Sequence, residues 1–430
     1  MNKLKIIFCA AIFGFFVQTL NAQNNTNSPY TRYGYGALAD NSFAAQRAMG
    51  GIGYGLRNHF MLNPMNPASY SGVDSLTFMF ELGVTGQYAW FEEYGKKATK
   101  LNGNLEYLAL QFRLIKNLGL GIGLEPVSYV SYNYGSIDST KNEDGVSKLY
   151  SNTNRGTGGL NRIYASLGYS ILDRISIGVK TSYLYGDKFH QNVTAFSESN
   201  HNYNYMVDTL RASGLTFDFG LQYILPMGKM KALTVGAVYS PKTSFNGSYH
   251  YSEYRVDNLT SKVKIDSLYS SNNLGFQLPE SYGFGFTFQH FNKYTVGADV
   301  LYQKWDNAKF YDETDAFNNR LKFNVGGEYI PNLMTNNFWK RVRYRAGAHY
   351  SNSYIKVNNE ATNNKDVGFK EYGINLGFGF PMVDRRSFLN VALEYSRIVP
   401  ELKTLISEQY MKITVGYTFN ELWFYKQKLK

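Results

Sequence analysis

The stretch from Leu76 to Trp90 constrains the fold more than any other. Leu76, Phe78, Phe80, Leu82, Val84, Gly86, Tyr88 and Trp90 alternate with Thr77, Met79, Glu81, Gly83, Thr85, Gln87 and Ala89. A strand turns successive side chains to opposite faces, so this segment has one apolar face and one polar, Gly-rich face. Soluble strands mostly run about 5–6 residues, whereas a tilted strand crossing a bilayer needs about 9–11. Tyr88 and Trp90 fall at the end of the run, where an interfacial aromatic girdle belongs. The same pattern recurs along the chain and predicts a transmembrane antiparallel β-barrel.

Composition agrees. Mean hydropathy is −0.34, yet 17% of residues are aromatic, with 37 Tyr and 30 Phe. A barrel averages a lipid face and a wet face, so it reads as polar in bulk and aromatic in detail. The N-terminus reads as a signal peptide over residues 1–22: Lys3 and Lys5, an apolar run from Ile6 to Val17, then Leu20-Asn21-Ala22. The apolar run is too short to span a bilayer as a helix. The single cysteine, Cys9, lies inside it, so disulfides and thiolate metal sites are not expected. Removing Lys3 and Lys5 takes the formal charge from +11 to +9. Those charges are scattered, which argues against nucleic acid as a partner.

Alternation counts to about fourteen strands. They are placed near 75–91, 104–115, 118–134, 159–172, 175–196, 214–225, 232–250, 278–290, 293–308, 319–330, 342–357, 369–380, 387–397 and 407–419. Lys116-Asn117, Asp173-Arg174 and Phe291-Asn292 read as tight turns. Gly135–Thr157, Ser197–Ser213 and Tyr251–Gln277 read as long polar loops. Short turns on one side and long loops on the other mark an outer-membrane barrel with its turns in the periplasm. In the Phe284–Gly285 region the lipid face falls on the phenylalanine, and a small polar side chain is expected to be tolerated at the wet Gly285. The last strand ends Tyr417-Thr418-Phe419, similar to the terminal aromatic signal read by barrel-insertion machinery. A tail over 420–430 follows, expected in the periplasm.

Residues 23–74 do not alternate. They hold Tyr30-Thr31-Arg32-Tyr33-Gly34-Tyr35-Gly36, a short helical stretch over Ser42–Met49, and then Asn63-Pro64-Met65-Asn66-Pro67-Ala68. Arg47-Ala48-Met49-Gly50-Gly51 followed by Asn66-Pro67-Ala68 ahead of the first long strand resembles the N-terminal hatch of the FadL/TodX family. Those proteins are outer-membrane transporters of long-chain fatty acids and other hydrophobic molecules. The resemblance implies a barrel of fourteen strands over 75–419 closed by an N-terminal plug over 23–74. The family's asparagine-proline-alanine element maps onto Asn66, Pro67 and Ala68; no family ligand residue is carried over.

In the third strand, Glu125-Pro126 interrupts a clean alternation and shifts the apolar phase to Val127 and Tyr129. Proline donates nothing to a ladder and belongs at a kink, an edge or a bulge. FadL-like barrels have an inward kink in this strand that opens the wall laterally, and a kink at Pro126 would be similar. A plain bulge near the rim is the other reading.

The expected lumen face carries Glu81, Arg113, Arg162, Lys180, Asp218, Asp299, Lys322, Glu328, Arg343, Arg345, Glu371, Glu394 and Lys412. Lys322, Arg343 and Arg345 fall on neighbouring strands and suit a carboxylate head group. The bland alternative is that these charges pair among themselves and with the plug. The six histidines are dispersed, with no metal-ligand spacing, and no G-x-S-x-G is present. An enzyme, a metal and a cofactor are therefore not expected. The leading functional reading is passive uptake of a hydrophobic small molecule. Its rival is a non-transporting scaffold or accessory barrel in a multiprotein outer-membrane complex. Membrane lipid, a hydrophobic ligand, the barrel-insertion machinery and other outer-membrane proteins are the expected partners. A lumen filled by salt-bridged side chains, together with a large apolar patch off the barrel wall, would favour the scaffold, and an apolar lumen pocket under Gly-rich strands would favour transport.

Overall fold

The computed structural model describes residues 26–422 apart from 94, 142–146, 197–202, 258–262, 360–363 and 403. The residues expected to form the signal peptide, and 423–430 of the tail, lie outside the described residues. Strand β1 (Ala37–Leu38) precedes the wall, which begins with β2 (Thr77–Glu93) and β3 (Lys96–Ile115). Then β4 (Leu118–Pro126) and β5 (Ser128–Lys141) form one kinked wall strand. Next come β6 (Ser147–Leu172), β7 (Ile175–Phe196) and β8 (Tyr203–Pro226). The segments β9 (Lys231–Ser240) and β10 (Thr243–Val256) join at Pro241, and β11 (Val263–Leu278) and β12 (Glu280–His290) join at Pro279. Then come β13 (Tyr294–Lys304), β14 (Arg320–Tyr329) and β15 (Arg343–Asn352). A separate pair, β16 (Val357–Asn359) and β17 (Asn364–Val367), precedes β18 (Phe369–Pro381), β19 (Phe388–Pro400) and β20 (Ser407–Leu422).

Pairing of β2 with β20 closes a barrel of 14 antiparallel strands. Every consecutive ladder is antiparallel, and the sharp turns use the left-handed residues Asn117 and Asn292, a conformation asparagine tolerates. The outward face is a belt of exposed rings and aliphatics: Leu215, Phe217, Phe219, Leu221 and Tyr223 on β8, Phe284 and Phe286 on β12, and Ile374 and Leu376 on β18. Tyr88 and Trp90 meet edge to face at 4.5 Å at the outer end of that belt. The alternate residues point inward, and Glu81, Lys180, Asp299, Glu328, Arg343 and Arg345 are all buried.

One expectation is corrected. Gly135–Thr157, Ser197–Ser213 and Tyr251–Gln277 are largely strand: β5 runs to Lys141, β6 starts at Ser147, β8 starts at Tyr203, β10 runs to Val256 and β11 starts at Val263. Strand β6 has 26 residues and β8 has 24, far more than a bilayer requires. Beyond the lipid the two faces no longer differ in polarity, so alternation disappears while ladder hydrogen bonds continue. Polarity there marks depth, not the end of a strand.

Candidate functional site

The described part of the N-terminal segment packs on the inward face of the wall. Asn66 caps a 3-10 helix, Pro67–Gly72, by accepting from Ala68 N at 3.0 Å. Its amide also donates to Tyr54 O at 2.8 Å and to Leu221 O on β8 at 3.2 Å. Proline at the first helical position suits this start, and Ala68 is fully buried. The Asn66-Pro67-Ala68 element thus ties the segment to the wall and presents no group to a ligand.

A short helix, α1 (Ala44–Arg47), follows Phe43. The Phe43 ring stacks on Tyr107 of β3 at 3.8 Å. The Tyr107 hydroxyl donates to Glu81 at 2.8 Å and accepts from Ala44 N at 2.8 Å. Asp299 of β13 accepts from Gly53 N at 2.6 Å and from Tyr54 N at 3.0 Å. Lys180 of β7 reaches Pro64 O at 3.2 Å, Glu125 at 3.3 Å and Asp218 at 3.5 Å. Wall charges are therefore satisfied partly by the backbone of the segment they enclose.

The basic residues singled out from the sequence are divided by the structure. Arg343 and Arg345 both bind Glu328, at 2.9 and 2.8 Å, and Arg345 also donates to Asn390 at 2.7 Å. The Arg343 guanidinium lies 4.5 Å from the Phe388 ring centroid. Lys322 stands apart from that pair and contacts Asp40 at 3.1 Å. Lys412–Glu394 at 3.0 Å and Arg162–Glu125 at 2.6 Å complete the pattern.

Glu125 and Pro126 sit where the wall breaks. The β3–β4 ladder ends at Leu108↔Leu124, while β3 continues outward to Lys96 paired with β2. Past Pro126, β5 pairs with β6. On the side turned toward β3 it meets the N-terminal segment: Ala37 and Leu38 of β1 pair with Tyr129 and Ser128. Ala39 N donates to Val127 O at 2.9 Å, and the Thr31 hydroxyl donates to Ser131 O and accepts from Ser131 N, each at 3.2 Å. Arg47 reaches Glu106 of β3 at 2.6 Å, and the Tyr129 hydroxyl donates to the same carboxylate at 3.1 Å. Side chains and a short added strand thus bridge the break from within. The Arg47–Glu106 pair was not singled out from the sequence. Its signal was present: Leu105 and Leu108 both face out, which requires the bulge seen opposite Gly83 and Val84 and turns Glu106 inward.

Two cavities of about 160 Å³ each flank Leu38, Ala39 and Asp40. Arg162, Lys180, Asp218, Arg320 and Lys322 line one; Arg47, Glu106, His349, Glu371 and Lys412 line the other. A packed aromatic layer closes the lumen on the long-strand side. Tyr35 is fully buried there among Phe245, Phe276, Trp305, Phe317 and Tyr354, and its N–H donates to the Tyr354 hydroxyl at 3.1 Å. No cluster of metal-ligating side chains occurs among the described residues.

The sequence matches the family model described as BamG over residues 1–430. A search of curated proteins finds no significant match. Solved structures with the same fold include the Ralstonia pickettii toluene transporter TbuX, at TM-score 0.54 and 14% identity, covering 88% of this chain and 98% of that one. The Pseudomonas putida toluene transporter TodX aligns at TM-score 0.58 and 14% identity, covering 90% and 100%. A Pseudomonas aeruginosa FadL homologue aligns at TM-score 0.58 and 13% identity, covering 89% and 99%. At this identity the likeness is one of fold: an outer-membrane barrel of the FadL type, shared with transport channels.

Proposed function

The chain belongs to the BamG family, and from that premise we propose that it is an accessory barrel of a multiprotein outer-membrane complex. In this reading residues 1–22 are a signal peptide, 23–74 a plug, 75–419 the membrane-embedded scaffold and 420–430 a periplasmic tail. The observation that carries the reading is the lumen. Ion pairs such as Arg162–Glu125 and Arg343–Glu328 fill much of it, the two cavities beside Leu38, Ala39 and Asp40 are small and carry charged as well as apolar lining, and an aromatic layer packs across its long-strand side. An apolar solute entering such a space would strip water from ionised groups and return no hydrogen bonds. The family designation makes the Bam machinery the complex to test first. The test is gentle extraction of the full chain from its own outer membrane, followed by cross-linking mass spectrometry. Stoichiometric cross-links to the barrel-assembly components support the reading. A barrel that purifies alone, with no such cross-links, overturns it.

One observation favours a second reading, uptake of hydrophobic molecules. The wall ladder breaks beside Glu125 and Pro126, and the TodX and TbuX structures of the same fold are toluene transporters. In that reading the break is a lateral exit, and Lys322 or the Arg343–Arg345 pair holds a head group after leaving its present carboxylate. Proteoliposomes bearing the full chain and accumulating labelled laurate or toluene faster than empty vesicles would establish it. Equal rates would dismiss it.

A further inference from the structure

Beyond the aromatic layer the long strands carry a third space that neither reading uses. It is a cleft of about 550 Å³ on the inward face of the extended part of β5–β8 and β10. The size is within the range of small-molecule sites. Strand register builds it. Tyr132, Gly156, His190, Asp208 and Tyr251 stand in one row across five neighbouring strands. A side chain at Gly156 would overlap the Tyr132 ring. Its absence lets that ring lie across β6, with its hydroxyl 2.5 Å from His190 Nδ1. Asn154 and Asn192 stand in the next row and share a hydrogen bond at 2.9 Å. Tyr249 lies in the row below and meets Tyr311 edge to face at 5.3 Å. Lys188 closes the floor by donating to Gly34 O and lies over the Phe310 ring.

The chemistry of this lining is specific. Flat tyrosine faces offer stacking surface. Asp208, the asparagine amides and His190 offer directional donors and acceptors. The charged groups of the lining are Arg32, Lys188 and Asp208, of both signs; Lys188 is turned to the Gly34 carbonyl and Arg32 to the Tyr134 hydroxyl. An anion would meet the Asp208 carboxylate and a cation would meet Lys188 and Arg32, while an alkane or arene would leave the carboxylate and amides unpaired. The ligand that fits is neutral, carries many hydroxyls and has weakly polar flat faces.

We propose that this cleft binds a neutral oligosaccharide at the outer surface. Sugar rings stack on Tyr249, Tyr251 and Tyr311, and hydroxyls donate to Asp208 and to the free faces of the amides. The proposal stands apart from both functional readings, since it needs neither a partner nor a passage through the wall.

The full chain in lipid nanodiscs serves the test, because maltoside detergents would themselves present a sugar head. Saturation-transfer NMR and calorimetry are run with maltohexaose, chitotriose and mannotriose. Laurate and an unstructured octapeptide are the contrasting probes. Transfer to ring protons of at least one saccharide is expected. Tyr251→Ala and Asp208→Asn should each weaken its affinity about tenfold or more. His250→Ala, on the opposite face of β10, should leave it unchanged, and normal heat-modifiability should show each variant folded. Binding of none of the saccharides overturns the proposal. So does saccharide binding indifferent to both substitutions, or binding of laurate or the peptide in this cleft in place of sugar.

Discussion

The Arg47 guanidinium donates to the Glu106 carboxylate at 2.6 Å with both side chains buried, and this contact ties the N-terminal segment to β3 beyond the end of the β3–β4 ladder. Removing one partner strands a buried charge. Arg47→Ala or Glu106→Gln alone should cost about 3–5 kcal/mol, whereas an Arg47→Met, Glu106→Leu double variant should come out close to neutral. Urea-dependent folding into lipid vesicles measures all three. A double variant as damaged as the singles would show that the pair does more than compensate charge.

Asn66 acts twice, as helix cap through its oxygen and as donor through its nitrogen. Asn66→Asp keeps the first role and loses the second, and Asn66→Ala loses both. The cap alone is worth about 0.5–2 kcal/mol. The order of stability, wild type above Asp above Ala, is expected in heat-modifiability midpoints. Equal loss in both variants would place the whole effect on the amide.

Phe284 faces lipid, 53% exposed. Phe284→Arg should cost about 2–4 kcal/mol in vesicle folding. The expectation that Gly285 tolerates serine is corrected, because a Cβ there would overlap the Asp299 carboxylate. That carboxylate is held by Gly53 N and Tyr54 N. Gly285→Ser should therefore destabilise the barrel too, while Gly86→Ala, with open space around it, should not. Equal stability of the two glycine variants would contradict the inward register of β12.

Pro126 is one of several features holding the kink. Gly159, between the residues that pair with Pro126 and Val130, has φ +143, a conformation disfavoured for other residues, and Val127 bonds both Leu160 O and Ala39 N. Pro126→Thr should thus leave the break open. Spin labels at Leu101→Cys and Ile137→Cys, both strongly exposed on strands β3 and β5, report the width of the gap. A shorter distance in the Pro126→Thr background would make the proline its cause.

The expected orientation puts the tight turns in the periplasm. A membrane-impermeant maleimide should label Ile137→Cys on intact cells, and Val383→Cys only after the outer membrane is opened. Both sites are well exposed, and Cys9, the one native cysteine, falls in the expected signal peptide. The reverse pattern would invert the barrel.

The sequence by itself determined the wall. Phe284 and Gly285, or Ile374 and Asn375, meet opposite environments at every step, and a period of two written against lipid is legible in one dimension. It also marked Pro126 as an interruption of the third strand, kink or bulge, since proline's effect on a ladder is local backbone chemistry. The tertiary structure decided what fills the wall. Which cation meets which carboxylate, Lys322 with Asp40 or Arg343 and Arg345 with Glu328, depends on barrel register and on where the N-terminal segment lies. Sequence separation carries no trace of either. The cleft row Tyr132, His190, Asp208 and Tyr251 was hidden for the same reason. Its members come from four strands, and above the bilayer no solvent contrast remains to print an alternating pattern on the chain.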